Sequence, residues 1–514
     1  MGIKEKIITV KVSRFNPEED SEVKYETYKV PYKKGMTILD SLIYIRENYD
    51  GSLAFRYRCR VGYCGSCSVL INGIPGLACM KEIPPNKEEL TIEPLSNFPL
   101  IKDLVVDISS VDKRMLSIRP FMERKKTFEG VWPLKKGEFE DLEVVTRCIG
   151  CLVCMEACPV FNEVPQKYPG PLQMVNIAKF AFDPRDEGEK IKTALFEGVY
   201  NCAFCKKCEE VCPNEVPLPE RIIEKLRSKV VEEIGLPPEY KGFLENLDNT
   251  GEILPSIGRT FIEEAPEVIT PKSVKGKVGL FTGCVADIME KGSLEATVRV
   301  LTKNGIQVII PKAQMCCGNL KLYGISLDER KKEIMETNIK AFEEYSLETV
   351  VAICPSCGEF LKEEYFSNQS PLGKKPNFKV LDINEYLLTQ IELNTKDFKR
   401  LNLRVTYHDP CHLNRGQGIY EEPRRLIKKI PGVDFVEMRD SDRCCGGTLR
   451  AGSPDIATLL GIEKVRKGAE TGADYIVTSC PLCVSHISIS RAKAKIKKPK
   501  IISILNLLAK AYGE

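Results

Sequence analysis

The sequence predicts a multidomain α+β chain that closes on a tandem α/β repeat. Three observations predict it. The N-terminal stretch alternates apolar and polar residues and then turns helical. The middle stretch shows helical periodicity around two four-cysteine runs. The C-terminal stretch repeats a five-cysteine pattern: Cys284, Cys316, Cys317, Cys354 and Cys357 recur as Cys411, Cys444, Cys445, Cys480 and Cys483, at offsets of 127, 128, 128, 126 and 126 residues. Packing needs alone do not set ten thiols in two matching pentads.

A chain of 514 residues is long enough for several buried cores. We divide it into 1–105, 106–235, a linker over 236–275, 276–400 and 401–514. Lysine and arginine number 75 against 72 acidic residues, a net charge of +3, without the basic excess of a nucleic-acid binder. The start, MGIKEKIITVKV, has no apolar signal core. In a reducing compartment 22 clustered cysteines read as metal ligands rather than disulfides. The longest charge-free run, residues 61–80, could span a bilayer by length but holds Gly62, Gly65, Gly73, Pro75 and Gly76. The expectation is a soluble, cytoplasmic protein with no membrane segment and no nucleic-acid partner.

Within 1–105, IITVKVSRF and KYETYKVPY read as a strand pair, and Thr37 caps the helical ILDSLIYIREN. Cys59, Cys64, Cys67 and Cys79 follow, the first three at the plant-type [2Fe–2S] spacing. Gly62, Gly65 and Ser66 keep bulk away, so that backbone N–H groups can face the sulfurs. The expected domain is a β-grasp ferredoxin with one [2Fe–2S] cluster. A four-thiolate zinc site is the alternative, poorly served by this loop spacing.

Residues 106–235 read as an α-helical ferredoxin domain. Cys148, Cys151, Cys154 and Cys158-Pro159 form one bacterial ferredoxin run, and Cys202, Cys205, Cys208 and Cys212-Pro213 form the other. In such runs the fourth cysteine ligates the other cluster. The expected [4Fe–4S] sets are Cys148, Cys151, Cys154 with Cys212, and Cys158 with Cys202, Cys205, Cys208. The crossing staples distant segments together. Two zinc sites are the alternative.

Each half of 276–514 reads strand, Cys, helix, strand, Cys-Cys-Gly, helix, strand, Cys-x2-Cys. Short apolar runs such as KVGLFTGC and RVTYHDPC end in cysteine, which suggests ligands at strand C-termini of small α/β units. Five thiolates exceed the four that a tetrahedral ion or a cubane requires. The surplus suits an irregular cluster with iron open to an outside sulfur. Zinc or an ordinary cubane in one pentad is the competing assignment.

Two resemblances follow from these motifs. CRVGYCGSCSVLINGIPGLAC, IKDLVVD, CIGCLVCMEACP and GPLQ…FDPRDE make the first 235 residues resemble the iron–sulfur subunit of succinate dehydrogenase and fumarate reductase. That family lacks a cysteine at the place of Cys205 and carries [3Fe–4S] there, so [4Fe–4S] is expected here. Its quinone-site tryptophan would follow Pro159, where VFNE stands; the single tryptophan of this chain is Trp132. The C-terminal half resembles the catalytic subunit of heterodisulfide reductase, with its CCG domains. That likeness implies a noncubane [4Fe–4S] cluster in each pentad and a substrate disulfide between them.

The combination resembles the iron–sulfur subunits of methanogen thiol:fumarate reductases. It implies an oxidoreductase subunit that oxidises coenzyme M and coenzyme B to their heterodisulfide. Electrons would then pass through the two [4Fe–4S] sets and the [2Fe–2S] site to a flavoprotein partner. That partner would carry FAD and reduce fumarate to succinate. An electron-transfer subunit of a succinate or hydroxy-acid dehydrogenase, feeding a quinone, is the alternative. Of three histidines, His408 and His412 flank Cys411, and His486 lies further on. His412 is a candidate for thiol chemistry, and Arg415 for pairing with an anionic group on the substrate.

Overall fold

The computed structural model describes residues 6–125, 130, 132–256, 258–325, 328–367, 370, 373 and 375–513. The parts of the predicted spans that fall on the remaining residues lie outside this description. The chain forms two compact units: residues 1–202 with 206–230, and residues 203–205 with 231–514.

In the first unit, alternation buries Ile8, Val10 and Val12 on one face of β1 (Ile7–Arg14). β1 joins β2 (Lys24–Pro31), β3 (Ser68–Ile71), β4 (Ile74–Leu77) and β5 (Glu89–Glu93) in a sheet ordered β2-β1-β5-β3-β4. Thr37 and Asp40 form a capping box on helix Ile38–Asn48, which buries Ile38, Leu42 and Ile45. With β1 parallel to β5 and antiparallel to β2, this is the predicted β-grasp arrangement. Arg14, at the end of β1, is buried and reaches Asp103, Glu26, Tyr28, Asp50 and Ser52. A hairpin, β6 (Leu100–Lys102) and β7 (Val105–Val106), precedes a helical region. There Pro171–Ala181 is buried along most of its length, and Glu156 accepts from Ser96 and Asn97 of the β part.

The second unit holds the duplicated halves. The first sheet is ordered β12 (Lys379–Asp382), β11 (Thr349–Ala352), β9 (Gly276–Phe281), β10 (Ile306–Ile309) and β8 (Val268–Ile269). The second is ordered β14 (Val433–Phe435), β13 (Leu403–His408), β15 (Tyr475–Thr478) and β16 (Lys500–Ser503). Numbered within each half, the parallel strands run 2-1-3-4 in both sheets. The chain's direction of winding reverses between the first and third strands. Crevices in such sheets open at that reversal, beyond the strand C-termini.

Residues 236–275, predicted as a linker, are built into this unit. They form helices Pro238–Thr250 and Phe261–Glu264 and the antiparallel edge strand β8. The Pro- and Gly-bearing composition hid apolar anchors: Leu247 is fully buried, and Tyr240 packs on Phe243 and Tyr323.

The halves meet reciprocally. Helix Lys291–Lys303 of the first packs on Ile504–Ala511 of the second, and Ile383–Thr389 of the first packs on Glu421–Lys428 of the second. The helices that follow the first and fourth strands thus exchange partners about a local two-fold. One apolar core contains Leu294, Leu301, Tyr386 and Leu387 together with Leu426, Ile427, Leu507 and Leu508. Among the described residues no helix is long and apolar enough to cross a membrane.

A shared core predicts shared stability. Leu301→Ala or Leu508→Ala should cost about 2–5 kcal/mol, read by chemical denaturation, and both halves should unfold in one transition. Separate transitions for the two halves would contradict the single core.

Candidate functional site: two cysteine pentads in contact

In the first unit the loop Cys59–Cys67 bends through positive φ at Arg60, Gly62 and Gly65 (62°, 71° and 70°). Only glycine fits the last two: a Cβ would stand 2.5 Å from Met80 Sδ at Gly62 and 2.9 Å from Cys151 Cα at Gly65. The bent backbone turns its N–H groups onto sulfur. Gly62 donates to Cys79 Sγ (3.3 Å), and Tyr63 and Cys64 donate to Cys59 Sγ (3.2 and 3.3 Å). The Ser66 hydroxyl, 3.0 Å from Cys64 Sγ, is the main cause that holds that thiol down at about 6, while burial pushes Cys67 up to about 12. Ser68 Oγ donates to Cys151 O (2.6 Å), so this loop packs directly against the first ferredoxin run.

The ferredoxin cysteines of that unit lie close enough to act on one another. Burial pushes Cys151 up to about 12, and the charges of Cys212 and Cys148 add to it. Cys154 is raised by burial and then by Cys151, Cys148, Cys212 and Cys158. Cys158, Cys202 and Cys208 act together on the buried phenol of Tyr168. Arg227 fixes the turn before them by donating to Val199 O and Cys202 O (3.0 and 2.7 Å).

In the second unit each pentad is gathered from three strand ends. Cys284 and Cys411 open helices just past β9 and β13. Cys354 and Cys480 are the N-caps of helices whose first residue is proline, and Cys357 and Cys483 lie in the first turn. Proline there has the right φ and no N–H to leave unpaired. Gly283 and Gly446 take φ of 70° and 83°; a Cβ at Gly283 would meet Cys357 Sγ at 3.1 Å. The loop before Cys284 is held by Gln314, which accepts from Thr282 N and donates to Leu280 O. The loop before Cys411 is held by Arg424, bidentate on Asp409 at 2.8 and 2.7 Å.

The thiols act on one another's acidity in one series: Cys284 with Cys316, Cys316 with Cys317, Cys317 with Cys357, and Cys357 with Cys354. Cys354 then acts with Cys480 of the other pentad. The series continues to Cys483, on to Cys445 at 3.6 Å, to Cys444 and to Cys411. Cys444 also acts with Cys205, which belongs to this unit. Buried thiols that share so few protons split in their acidity. Donation from Cys316 and Cys357 brings Cys317 down to about 6, and Cys354 and Cys445 are lowered as well. Cys284, Cys357 and Cys480 are raised. A dense set of buried sulfur donors is the chemistry that iron–sulfur clusters need.

A small pocket, partly open to solvent, lies against the second pentad. Cys411, Cys444, Cys445, Cys480 and Cys483 line it together with His412 and, from the first half, Pro355 and Ser356. His412 is buried and spans three elements: Nδ1 meets Ser356 Oγ (2.7 Å) and Glu359 (3.4 Å), and Nε2 meets Phe204 O (3.0 Å).

Arg415 stands elsewhere. It is not among the lining residues, and it donates to Cys205 O (2.6 Å), Asp442 Oδ2 (3.2 Å) and Asp442 O (2.9 Å). These bonds hold the Cys205 segment. The sequence reading passed over Glu359, Thr448, which donates to Ala203 O (2.8 Å), and Glu252. Glu252 lies close enough to act on Cys284 and Cys316, and burial, then Asp287, pushes its own carboxyl up to about 8, which favours the neutral acid. Glu359, two residues after Cys357, was the one with a visible signal.

Comparison with known proteins follows this division. Residues 9–113 match a family described as a 2Fe-2S iron-sulfur cluster binding domain. Residues 144–216 match a 4Fe-4S dicluster domain. Residues 278–362 and 405–488 each match a cysteine-rich domain. A subunit of the fumarate reductase (CoM/CoB) of Methanothermobacter marburgensis is 38% identical over 511 residues, 99% of this chain and all of that protein. A subunit of the dihydromethanophenazine:CoB–CoM heterodisulfide reductase of Methanosarcina barkeri is 28% identical over 394 residues, 71% of this chain and 93% of its own length. The fumarate reductase iron-sulfur subunit of Haemophilus influenzae is 34% identical over 226 residues, 41% of this chain and 88% of its own length. A crystal structure of a hypothetical Helicobacter pylori protein shares the fold at TM-score 0.67 and 16% identity, over the whole of this chain and 96% of that one. These likenesses make the chain an iron–sulfur electron-transfer subunit of an oxidoreductase, and it belongs to the same family as the fumarate reductase (CoM/CoB) protein of Methanothermobacter marburgensis.

Proposed function

We propose that this chain is the iron–sulfur subunit of a cytoplasmic thiol:fumarate reductase. It oxidises coenzyme M and coenzyme B to their mixed disulfide at the paired pentads and delivers the electrons to a FAD-bearing flavoprotein that reduces fumarate to succinate. The reaction balances: two thiols lose two protons and two electrons, and fumarate gains both. The observation that carries the reading is the unbroken run of thiols from Cys284 to Cys411, with a cavity beside it.

The residues divide the work. Cys59, Cys64, Cys67 and Cys79 hold one [2Fe–2S] cluster. Cys148, Cys151, Cys154 and Cys212 hold one [4Fe–4S] cluster, and Cys158, Cys202, Cys205 and Cys208 hold another. The pentads hold two noncubane [4Fe–4S] clusters. Bound there, such clusters supply one-electron chemistry and iron able to take a substrate sulfur. The mutual action of Cys354 and Cys480 supports a site that serves both substrate sulfurs at once. His412, in the cavity wall and fixed by Ser356 and Phe204 O, orients a thiol there. Arg415 positions Cys205 against Cys444, and so couples the pentads to the relay.

Purified complex given both thiols and fumarate should form heterodisulfide and succinate in equal amounts. Turnover with a quinol and none with the thiols would refute the reading. Arg415→Lys keeps the charge but loses the planar fork. It should destabilise the segment by about 1.5–3 kcal/mol per charge-assisted bond lost and slow thiol-dependent fumarate reduction, with the pentads' iron content unchanged. An unaltered rate would show that Arg415 does not serve the relay.

A further inference from the structure

The two pentads match in sulfur but differ in a sixth residue. His408 ends β13 three residues before Cys411; its counterpart, Phe281, ends β9 three residues before Cys284. Strand register supports the equivalence, since His408 pairs with Thr478 and Phe281 with Ala352, each two residues before a Cys-x2-Cys. His408 is 1% exposed. Its Nδ1 lies 3.1 Å from Ser441 O. A carbonyl only accepts, so Nδ1 carries the proton, and the lone pair of the neutral ring lies on Nε2. Nε2 is buried, no nitrogen or oxygen reaches it, and the thiol of Cys445 acts on the ring. A ring nitrogen of His408 and the sulfurs of Cys445 and Cys483 lie within 4.8 Å of one another.

A histidine whose Nδ1–H is fixed on a backbone carbonyl, and whose Nε2 points into a group of thiols, is arranged as metal-ligating histidines are. A buried acceptor nitrogen that faces only thiols, weak hydrogen-bond donors, is poorly satisfied by them. The other two histidines are used differently: His412 binds Ser356 and Phe204 O, and His486 Nε2 binds Cys445 O and Ala457 O. We infer that His408 Nε2 is a sixth protein ligand to the metal centre of the second pentad. The first pentad has no nitrogen donor at the matching place, so the two centres are chemically distinct. This rests on the reading of the second pentad as an iron–sulfur centre.

The test labels the holo protein with ¹⁵N-histidine, which marks three residues in all. Pulsed EPR of the intact chain, in a paramagnetic state of the pentad centres, then looks for directly bound nitrogen. The expected result is a histidine nitrogen coupling at one centre, lost in His408→Phe, which copies the first pentad. A centre that is present but shows no such coupling overturns the inference, as does coupling that survives in His408→Phe. If His408→Phe fails to hold iron, the labelled native protein decides alone. Iron and acid-labile sulfide counts are taken on the same samples. Zinc in the second pentad would sink the iron–sulfur reading and the inference with it, whereas full iron without coupling sinks the inference only.

Discussion

The organisation of the second unit turns on the approach of its two halves, where the thiols of Cys354 and Cys480 act on one another. Each belongs to a different half, and each is held at a helix N-cap with proline behind it. The approach is enforced from outside. Helices following the first and fourth strands exchange partners across a common apolar core, so neither half can move without opening that core. A duplicated α/β unit with strand order 2-1-3-4 opens a crevice where its winding reverses. Packing two copies about a two-fold turns two crevices toward each other, and the cysteines sit at their lips.

Duplication sets the symmetry, and point differences then break it. The loop before Cys284 is tied by a neutral glutamine, whereas the loop before Cys411 is tied by a buried ion pair. Glu252 places a carboxyl by the first pentad; the second receives Cys205, His408 and His412. Neighbouring thiols first, and burial after them, penalise the ionised forms of Cys284, Cys357 and Cys480. Bound metal relieves that penalty, so folding and metal loading of this unit are linked.

Much of this was legible in the residues. Alternation in IITVKVSR and the Thr37 cap marked the β-grasp start, because period and capping are local properties. The repeated pentads marked the duplication, because ligand spacing survives where other sequence does not. Residues 236–275 misled, since glycine and proline suggest a connector while Leu247 and Tyr240 are anchors set by distant partners. The carbonyl partner of Arg415 was not legible, since it lies 210 residues away. Distance likewise hid the partners of His412, 56 residues away at Ser356 and 208 at Phe204. His408 was visible only as a letter near Cys411; its tautomer and the place of its ring beside Cys445 and Cys483 depend on Ser441 and the strand register.

The central claim is that the pentads hold adjoining iron centres with room for guest sulfur between them. A crystal structure of the iron-loaded chain soaked with both thiols, with anomalous data at the iron and zinc edges, tests it most directly. The account predicts iron in both pentads and extra sulfur density between them. Zinc in both, or closed four-ligand cages with no guest between, would contradict it.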